Sequence, residues 1–280
     1  MKTFKEIKEL ASKEWLIEKY FKEGLSQRKI SFLLDTRPNN ICDLFKLYSL
    51  ECTNENRSRK YHYNSNYFKT WSANMAYILG FTVTDGNITQ NMNTLRYSLQ
   101  RRDSEITNFI AREICLDKYP VDTISNKTSL QSEIQIHNAE ICKDLFNIHS
   151  IFPAKSGKEI LQTNIPLEFI PDYLRGIIDG DGSVKFRCQK VLTKCGLKNY
   201  YNGYLSICCS NKKFLQDIQD TYLSKYSGKI HFNGGVWKLS YSKLSEVVEI
   251  FSWIYNGNFC LQRKKQEFDK ILDFFKSKTT

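Results

Sequence analysis

The first 50 residues carry apolar side chains at helical intervals, a pattern that predicts three short helices. The first helix contains Tyr20 and ends at Gly24. The second begins at Ser26, whose side chain can cap it, and the third opens at Thr36 with Pro38 in its first turn. The faces expected to pack together carry Trp15, Leu16, Phe21, Ile30, Leu33, Leu34, Ile41, Leu44, Phe45 and Leu47.

Two short helices joined by a tight turn are typical of the helix-turn-helix, a DNA-binding arrangement. The second helix of this pair exposes polar side chains, and Arg37, Asn39 and Asn40 among them are candidate DNA contacts. Residues 1–50 are therefore predicted to form a small all-α helix-turn-helix domain. A helical bundle that serves only packing or protein contacts is the alternative.

Residues 51–69 are polar, basic and rich in asparagine, with no helical or alternating pattern. This composition predicts a linker that can lie along a phosphate backbone. Beyond it the chain repeats itself. The segments MAYILGFTVTDGNI (75–88) and PDYLRGIIDGDGSV (171–184) each describe an apolar helix that ends in Gly-x-x-x-x-Asp-Gly, and their aspartates, Asp85 and Asp181, are 96 residues apart.

The same order of elements follows each motif. An alternating segment comes first, with Asn87, Thr89 and Asn91 in one copy and Ser183, Lys185, Arg187 and Gln189 in the other. A return strand (95–102, 204–211), a helix (104–116, 213–223), a second strand pair (about 129–137, 229–240) and a last helix (139–149, 243–255) follow. The expected fold is α+β, with two pseudo-symmetric αββαββα units at 70–166 and 167–280.

The net charge of the chain indicates which class of molecule it binds. Lys and Arg number 41 against 30 Asp and Glu, which gives a formal net charge of +11. Such an excess favours a polyanionic partner, because neutralised phosphates release their counterions. The basic residues are spread along the chain, so folding must assemble any basic surface.

Cysteine and histidine usage excludes several classes of protein. The nine cysteines are odd in number and form no CxxC, and the four histidines lack metal-ligand spacing. We interpret most cysteines as small core residues in a reducing compartment.

The chain has no secretory or transit pattern at its start and no apolar stretch that could span a bilayer. We expect a location in the cytoplasm of a bacterial or phage-infected cell or in an organelle matrix.

The segment YLRGIIDGDG (173–182) resembles the LAGLIDADG motif of homing endonucleases, and LGFTVTDG (79–86) resembles a diverged copy of it. The resemblance covers about residues 70–280. It implies two helices that pack closely through Gly80 and Gly176, with Gly180 as a further small contact and Thr84 in the matching place. Each helix would end at its aspartate, with Gly86 and Gly182 free to take a left-handed turn.

The paired aspartates carry the implied chemistry. Two carboxylates at the negative ends of two helix dipoles repel each other, and Mg²⁺ suits such oxygen ligands. Asp85 and Asp181 would hold two or three Mg²⁺ ions that activate water and stabilise the departing 3′ oxygen. The family also implies a basic residue late in each unit, matched by Lys155 and Lys264, with Arg263 and Lys265 as rivals. Polar residues that order water in the family align with Asp103 and Asn211.

Polar faces of the predicted strands supply a surface for double-stranded DNA. Long polar side chains alternate with apolar ones, and Arg and Gln pair well with guanine and adenine edges. The two sheets would form a saddle for the duplex. The candidate contacts are Arg96, Ser98, Gln100, Arg102, Lys185, Arg187, Gln189, His231, Asn233 and Lys238.

The function expected from these features is a monomeric, site-specific endonuclease of the intron- or intein-homing kind. A free-standing enzyme is favoured over an intein, since neither end resembles a splicing junction. Two alternatives stay open. One is a transcription regulator that combines an inactive LAGLIDADG scaffold with the helix-turn-helix, and the other is a maturase that binds host-intron RNA.

Overall fold

The computed structural model describes residues 1–52, 61–117, 122–126, 129–193 and 196–279. The chain divides into two compact units, Met1–His62 and Tyr63–Thr280. The division lies inside the segment predicted as a linker, so the last residues of that segment belong to the second unit. Residues 53–60 of the predicted linker are outside the described residues.

The first unit is helical, as expected. Its helices are α1 (Phe4–Leu10), α2 (Lys13–Ile17, continued by a π-helical turn over Glu18–Lys22), α3 (Gln27–Leu33) and α4 (Pro38–Leu47). Helix α1, which was not predicted from the sequence, supplies Ile7 to the core. The rest of the buried cluster consists of Ala11, Leu16, Tyr20, Ile30, Leu34, Ile41, Leu44 and Phe45.

Several details of the helical unit differ from the prediction. Ser26 caps α3 as predicted, accepting a hydrogen bond from the Lys29 amide at 3.3 Å. Thr36, however, lies outside α4, because its hydroxyl donates to the Lys2 carbonyl at 2.8 Å and ties the chain start to the turn. Three residues expected in the core are exposed instead: Phe21, Leu33 and Leu47.

The second unit opens with residues that the sequence assigns to the linker. Tyr67–Lys69 form a short 3-10 turn, and Tyr67 and Phe68 are buried. Tyr63 forms an isolated antiparallel bridge with Cys115. Aromatic side chains within this polar stretch therefore anchor it to the folded unit.

The rest of the second unit contains the same order of elements twice, and the predicted αββαββα repeat is confirmed. The first copy consists of α5 (Ala73–Asp85), β1 (Asn87–Ile88), β2 (Leu95–Gln100), α6 (Ser104–Ile114), β3 (Asp122–Asn126), β4 (Ser129–Ile136) and α7 (Ala139–Asn147). The second consists of α8 (Ile170–Asp181), β5 (Gly182–Thr193), β6 (Gly196–Cys209), α9 (Lys212–Tyr222), β7 (Lys229–Asn233), β8 (Val236–Tyr241) and α10 (Leu244–Ile254).

Each copy builds one antiparallel sheet with the same topology. The strand orders are β1-β2-β4-β3 and β5-β6-β8-β7. The two motif helices, α5 and α8, pack against each other and against their own sheets. They are buried on nearly every side, which explains why both are apolar over most of their length.

The chain continues past the predicted repeat into an additional helix, α11 (Gln262–Thr279). This helix was not predicted from the sequence. Its buried apolar side chains, Phe268 and Ile271, are three residues apart and follow the turn at Gly257. That spacing was the available signal.

The first copy has shorter strands than the sequence suggests. Strand β1 ends at Ile88, and Thr89 instead starts a turn in which its hydroxyl donates to the Asn91 side chain at 2.7 Å. Strand β2 ends at Gln100, so Arg102 does not continue its alternating face and lies in the 3-10 turn that follows. The second strand pair begins at Asp122, earlier than predicted.

Candidate functional site

The two motif helices meet at Gly80 and Gly176, as the resemblance implied. A Cβ atom on Gly80 would lie 2.0 Å from the carbonyl oxygen of Tyr173. A Cβ atom on Gly176 would lie 2.1 Å from the carbonyl oxygen of Tyr77. The same glycine-to-carbonyl contact therefore occurs twice with the roles of the helices exchanged. Only glycine allows the backbones to approach this closely, and the pair of contacts defines a local pseudo-twofold relation.

Gly180 provides the further close contact near the helix ends. A Cβ atom there would lie 1.9 Å from the Thr84 hydroxyl and 2.5 Å from a carboxylate oxygen of Asp85. Thr84, which stands where the other helix has Gly180, fills the space that this glycine leaves. The carboxylate of Asp85 thus lies against the last turn of α8, which ends at Asp181.

The glycines after the aspartates do not take the predicted left-handed conformation. Gly86 has φ −70° and Gly182 has φ −84°, both extended. The physical reason is that each helix runs directly into a strand, which requires extended backbone. Glycine is still needed for space, because a Cβ atom would lie 2.6 Å from the Thr82 side chain at Gly86 and 2.4 Å from the Ile178 carbonyl oxygen at Gly182.

The surroundings of the aspartates disfavour their charged forms. Partial burial raises the pKa of Asp85. Partial burial also raises the pKa of Asp181, to about 6, and the negative charge of nearby Asp85 is the second cause of that rise. The positive charges of Lys155 and Lys264 oppose both shifts. Both aspartates nevertheless keep an exposed side toward solvent.

These carboxylates are available to a ligand. Asp85 accepts one hydrogen bond, from the Thr84 hydroxyl at 3.3 Å, and within the described parts of the chain Asp181 accepts none. No group of three or more His, Cys, Asp or Glu side chains gathers among the described residues. A divalent cation held here would therefore take two protein carboxylates and complete its shell with water or phosphate oxygens, which is a ligand set that Mg²⁺ accepts.

Both predicted lysines reach the motif helices, through similar contacts. The ammonium of Lys155 donates to the Thr84 carbonyl at 2.6 Å. The ammonium of Lys264 donates to the carbonyls of Ile178 at 2.6 Å, Asp179 at 2.7 Å and Gly180 at 3.3 Å. Each lysine thus caps the negative end of one motif helix, beside its aspartate.

The two lysines differ in how many N–H groups of the ammonium remain free to donate to a ligand. Lys264 is 3% exposed, and the three N–H groups of its ammonium have three carbonyl acceptors. Burial lowers its pKa to about 8. Lys155 is only partly buried, and Thr84 is its one acceptor among the described residues, which leaves two N–H groups.

The rivals of Lys264 are engaged elsewhere. Arg263 forms a bidentate pair with Asp103 at 2.7 and 2.9 Å, and Lys265 pairs with Asp269 at 2.9 and 3.0 Å. The charge of Lys264, by contrast, acts on the site, because it opposes the rise in the pKa of both motif aspartates.

Asp103 and Asn211 occupy matching positions at the N-termini of α6 and α9, but their contacts are with protein. Asp103 holds Arg263, the neighbour of Lys264. Asn211 donates to the Glu159 carbonyl at 3.0 Å, four residues after Lys155. Each residue therefore fastens the segment that carries the other copy's lysine, a role distinct from the water-ordering one that the resemblance implied.

Three buried charged residues of α8, Asp172, Arg175 and Asp179, were not predicted as part of the site. Asp179 accepts hydrogen bonds from the hydroxyls of Tyr255 at 2.6 Å and Tyr77 at 3.1 Å and from the Leu261 amide at 2.7 Å. Arg175, 1% exposed, donates to the carbonyls of Phe259 and Ile254 and pairs with Asp172. Charged residues inside an otherwise apolar helix were the signal. They fix the segment 254–261, which leads to Lys264.

The second sheet brings its predicted DNA contacts to one face. Lys185 and Arg187 lie in β5, and the strand register places His231 opposite Lys238. These side chains line a groove of about 270 Å³ together with Ser206. The remaining residues of the same groove include Ser183, Tyr204, Cys208, Asn233 and Ser240. Gln189 continues this face, exposed, further along β5.

The first sheet also has a polar face, but an acid lies within it. Arg96, Ser98 and Gln100 alternate with buried residues in β2. Arg96 forms an ion pair with Glu133, which is 3% exposed and also accepts a hydrogen bond from Gln135. Glu133, which was not predicted from the sequence, orients Arg96 on this face.

The candidate contacts of the helical unit lie at the start of α4. Arg37 and Asn39 are exposed there. Asn40 is partly buried, and its amide donates to the Thr36 hydroxyl at 2.8 Å. Only the first two are therefore fully available.

The fold is known from solved structures. The LAGLIDADG homing endonuclease I-LtrWI bound to target DNA matches 77% of this chain and 92% of its own, with a TM-score of 0.53 and 14% identity. I-SmaMI bound to cleaved DNA matches 75% and 91%, with a TM-score of 0.52 and 13% identity. The LAGLIDADG meganuclease I-AabMI bound to uncleaved DNA matches 75% and 93%, with a TM-score of 0.50 and 15% identity.

No protein-family model and no curated protein matches the sequence. The structural likeness therefore establishes the fold, which is that of LAGLIDADG homing endonucleases. In the described part of the chain, no helix combines the length and the apolar character needed to cross a membrane.

Proposed function

We propose that this chain is a site-specific endonuclease that hydrolyses both strands of a long double-stranded DNA target. The observation that carries the proposal is the pair of exposed carboxylates, Asp85 and Asp181, at the ends of two helices in glycine-mediated contact. A protein that only binds DNA gains nothing from two carboxylates whose charged forms are disfavoured. A nuclease needs such oxygen ligands for divalent cations.

Asp85 and Asp181 are the residues that would hold divalent cations, Mg²⁺ in the cell. Bound cations would supply activation of water and stabilisation of the departing 3′ oxygen. The chain contributes the rest of the site. The helix crossing fixes the spacing of the carboxylates, and the lysines neutralise the negative helix ends beside them.

The lysines take unequal parts in this proposal. Lys155 has N–H groups left to donate to a non-bridging phosphate oxygen at the scissile bond, which makes it a catalytic residue. Lys264 has its three N–H groups on carbonyls and is a positioning residue for the end of α8.

The partner is duplex DNA, bound by a monomer that contains both halves of the site. The polar faces of the two sheets, with Arg96 and Gln100 on one and Lys185 and Arg187 on the other, would contact the major groove. Arg37 and Asn39 of the helix-turn-helix unit would contact DNA beyond the main target, as an addition to affinity.

Selection of cleavage sites from a randomised duplex library tests the proposal. With Mg²⁺, the wild-type chain is expected to cut both strands at one long site. Asp85→Asn and Asp181→Asn should abolish cutting while binding to that site persists. Asp217→Asn, at a partly exposed position in α9 where the carboxylate pairs with Lys213, is the matched control and should cut normally.

The outcomes separate the candidate functions. Tight sequence-specific binding without cutting in any divalent metal would refute the nuclease and favour a regulator. Preference for structured intron RNA over duplex DNA would refute it in favour of a maturase.

A further inference from the structure

The two sheets differ greatly in the length of their first hairpin. In the first copy, Asn87 pairs with Arg96 and Ile88 with Leu95, and the hairpin then closes through residues 89–94. In the second copy, the matching pairs are Ser183 with Ser206 and Val184 with Leu205, and the strands continue to Thr193 and Gly196. We name the extra part, residues 185–193 and 196–204, the arm.

The arm is mounted on α11 through one of its faces. The ring of Phe274 lies 4.7 Å from that of Tyr201 and 5.4 Å from that of Phe186, measured between centroids. The Phe186 amide donates to Glu267 at 3.3 Å. A Cβ atom on Gly203 would lie 2.9 Å from the Ile271 side chain. The C-terminal helix therefore holds the base of the arm against the body of the second unit.

The other face of the arm is free and suited to DNA. The register places Lys185 opposite Tyr204, Arg187 opposite Asn202 and Gln189 opposite Tyr200 on this face. It therefore carries cationic, amide and phenol groups and no carboxylate. These side chains donate to phosphates and base edges, and a polyanion complements their charge.

The length of the arm sets how much DNA it can follow. Eight residue steps from Lys185 to Thr193 at about 3.4 Å span roughly 27 Å, which corresponds to about eight base pairs of B-form duplex. The first copy has no matching hairpin extension, because β1 and β2 close at once.

We propose that the arm lengthens the DNA target on one side only. The half-site bound by the second copy would extend about six to eight base pairs farther from the cleavage centre than the half-site that the β1–β2 hairpin can reach. This inference rests on the proposed function, because it takes duplex DNA as the occupant of the arm.

The test compares footprints of the uncleaved complex on the selected site in Ca²⁺. The arm-face variant Arg187→Ala/Gln189→Ala is expected to lose protection and base preference only at the outermost positions on one side, with about tenfold weaker binding. Lys190→Ala is the matched control, since it removes a cation from the opposite face of the same strand, and its footprint should be unchanged. A long footprint of the wild-type chain does not by itself support the arm, because the helix-turn-helix unit could also lengthen it. The difference between the footprints of the two variants is therefore the deciding result.

The two proposals fail in different ways. If a site is selected and cut but the arm-face variant has the wild-type footprint, or loses contacts on both sides or next to the cut, the arm proposal is overturned and the nuclease stands. If no duplex is selected, duplex DNA is not the occupant of the arm and both proposals fall.

Discussion

Arg263, which follows the second copy of the repeat, donates two hydrogen bonds to Asp103 in the first copy, at 2.7 and 2.9 Å. The contact joins the start of α11 to the start of α6. Next to it, Phe259 stacks on Phe109 with centroids 3.8 Å apart, and the Gln262 amide donates to Glu105 at 3.0 Å. The copies are thus fastened to each other at the residue that precedes Lys264.

We predict that the Asp103–Arg263 pair stabilises the contact between the two copies of the repeat. Asp103→Ala and Arg263→Ala should each lower the thermal midpoint, since bidentate charged pairs that are partly shielded from solvent contribute about 1 kcal/mol. The double variant should be less destabilised than the sum of the single variants. Calorimetry on the four proteins of the cycle measures this coupling, and Lys265→Ala, which breaks a pair within α11, is the control. Strict additivity would mean that the contact does not hold the two copies together.

His149 should make the stability of the chain fall in mild acid. It is 2% exposed, and its Nε2 lies 2.8 Å from the Phe68 carbonyl oxygen. Burial lowers its pKa below 6.5, and the Phe68 carbonyl and Asp144 oppose that shift only in part. Below about pH 6.5 the unfolded chain therefore binds a proton that the folded chain does not, so the free energy of unfolding decreases as the pH falls toward the folded pKa.

Urea unfolding at pH 7.5, 6.0 and 5.0 measures this dependence. The aspartates of the site shift with the opposite sign, so the informative quantity is the difference between the wild-type chain and His149→Gln. The wild-type chain should lose more stability than the variant between pH 7.5 and 5.0. Equal losses would show that His149 is protonated without cost in the folded state.

The sequence predicted those parts of the site that periodic patterns encode. The repeat located both motif helices and ended them at Asp85 and Asp181, because an apolar helix followed by Asp-Gly has few other structures. Alternation placed Lys185 and Arg187 on a common polar face, because side chains in a strand alternate between the two faces of its sheet.

Other parts had no periodic signal. Lys155 follows Asp85 by 70 residues, whereas Lys264 follows Asp181 by 83, so no spacing rule relates the lysines to the repeat. Their equivalence exists only in three dimensions, at the carbonyls of Thr84 and Gly180. The left-handed turn predicted at Gly182 failed for a related reason. The usual rule applies to helices that enter loops, and this helix enters a strand.

Neutralising one aspartate should stabilise the metal-free protein. Asp181→Asn removes a carboxylate that is partly desolvated and repelled by the charge of Asp85. In EDTA at pH 7.5 the thermal midpoint of this variant should therefore be about 1–3 °C higher than that of the wild-type chain. Added Mg²⁺ should raise the midpoint of the wild-type chain and have a much smaller effect on the variant. Asp217→Asn should match the wild-type chain in both buffers. A lower midpoint for Asp181→Asn in EDTA would mean that the carboxylate supports the fold.

Replacing each lysine by methionine should have different effects, on stability for Lys264 and on the rate of cleavage for Lys155. Lys264→Met leaves three carbonyls without a donor and the buried Asp179 without a compensating charge, so a loss of about 2 kcal/mol, or roughly 4–8 °C in the midpoint, is expected. Lys155→Met frees one carbonyl at a partly exposed site and should change the midpoint by less than about 2 °C. Its effect should fall on cleavage, with one strand nicked at least tenfold more slowly while DNA affinity is retained. Strand-resolved cleavage of an end-labelled duplex, measured beside calorimetry, distinguishes the two roles. If Lys264→Met keeps the wild-type midpoint and slows its strand as much as Lys155→Met slows the other, then both lysines act on phosphate and the assigned difference is wrong.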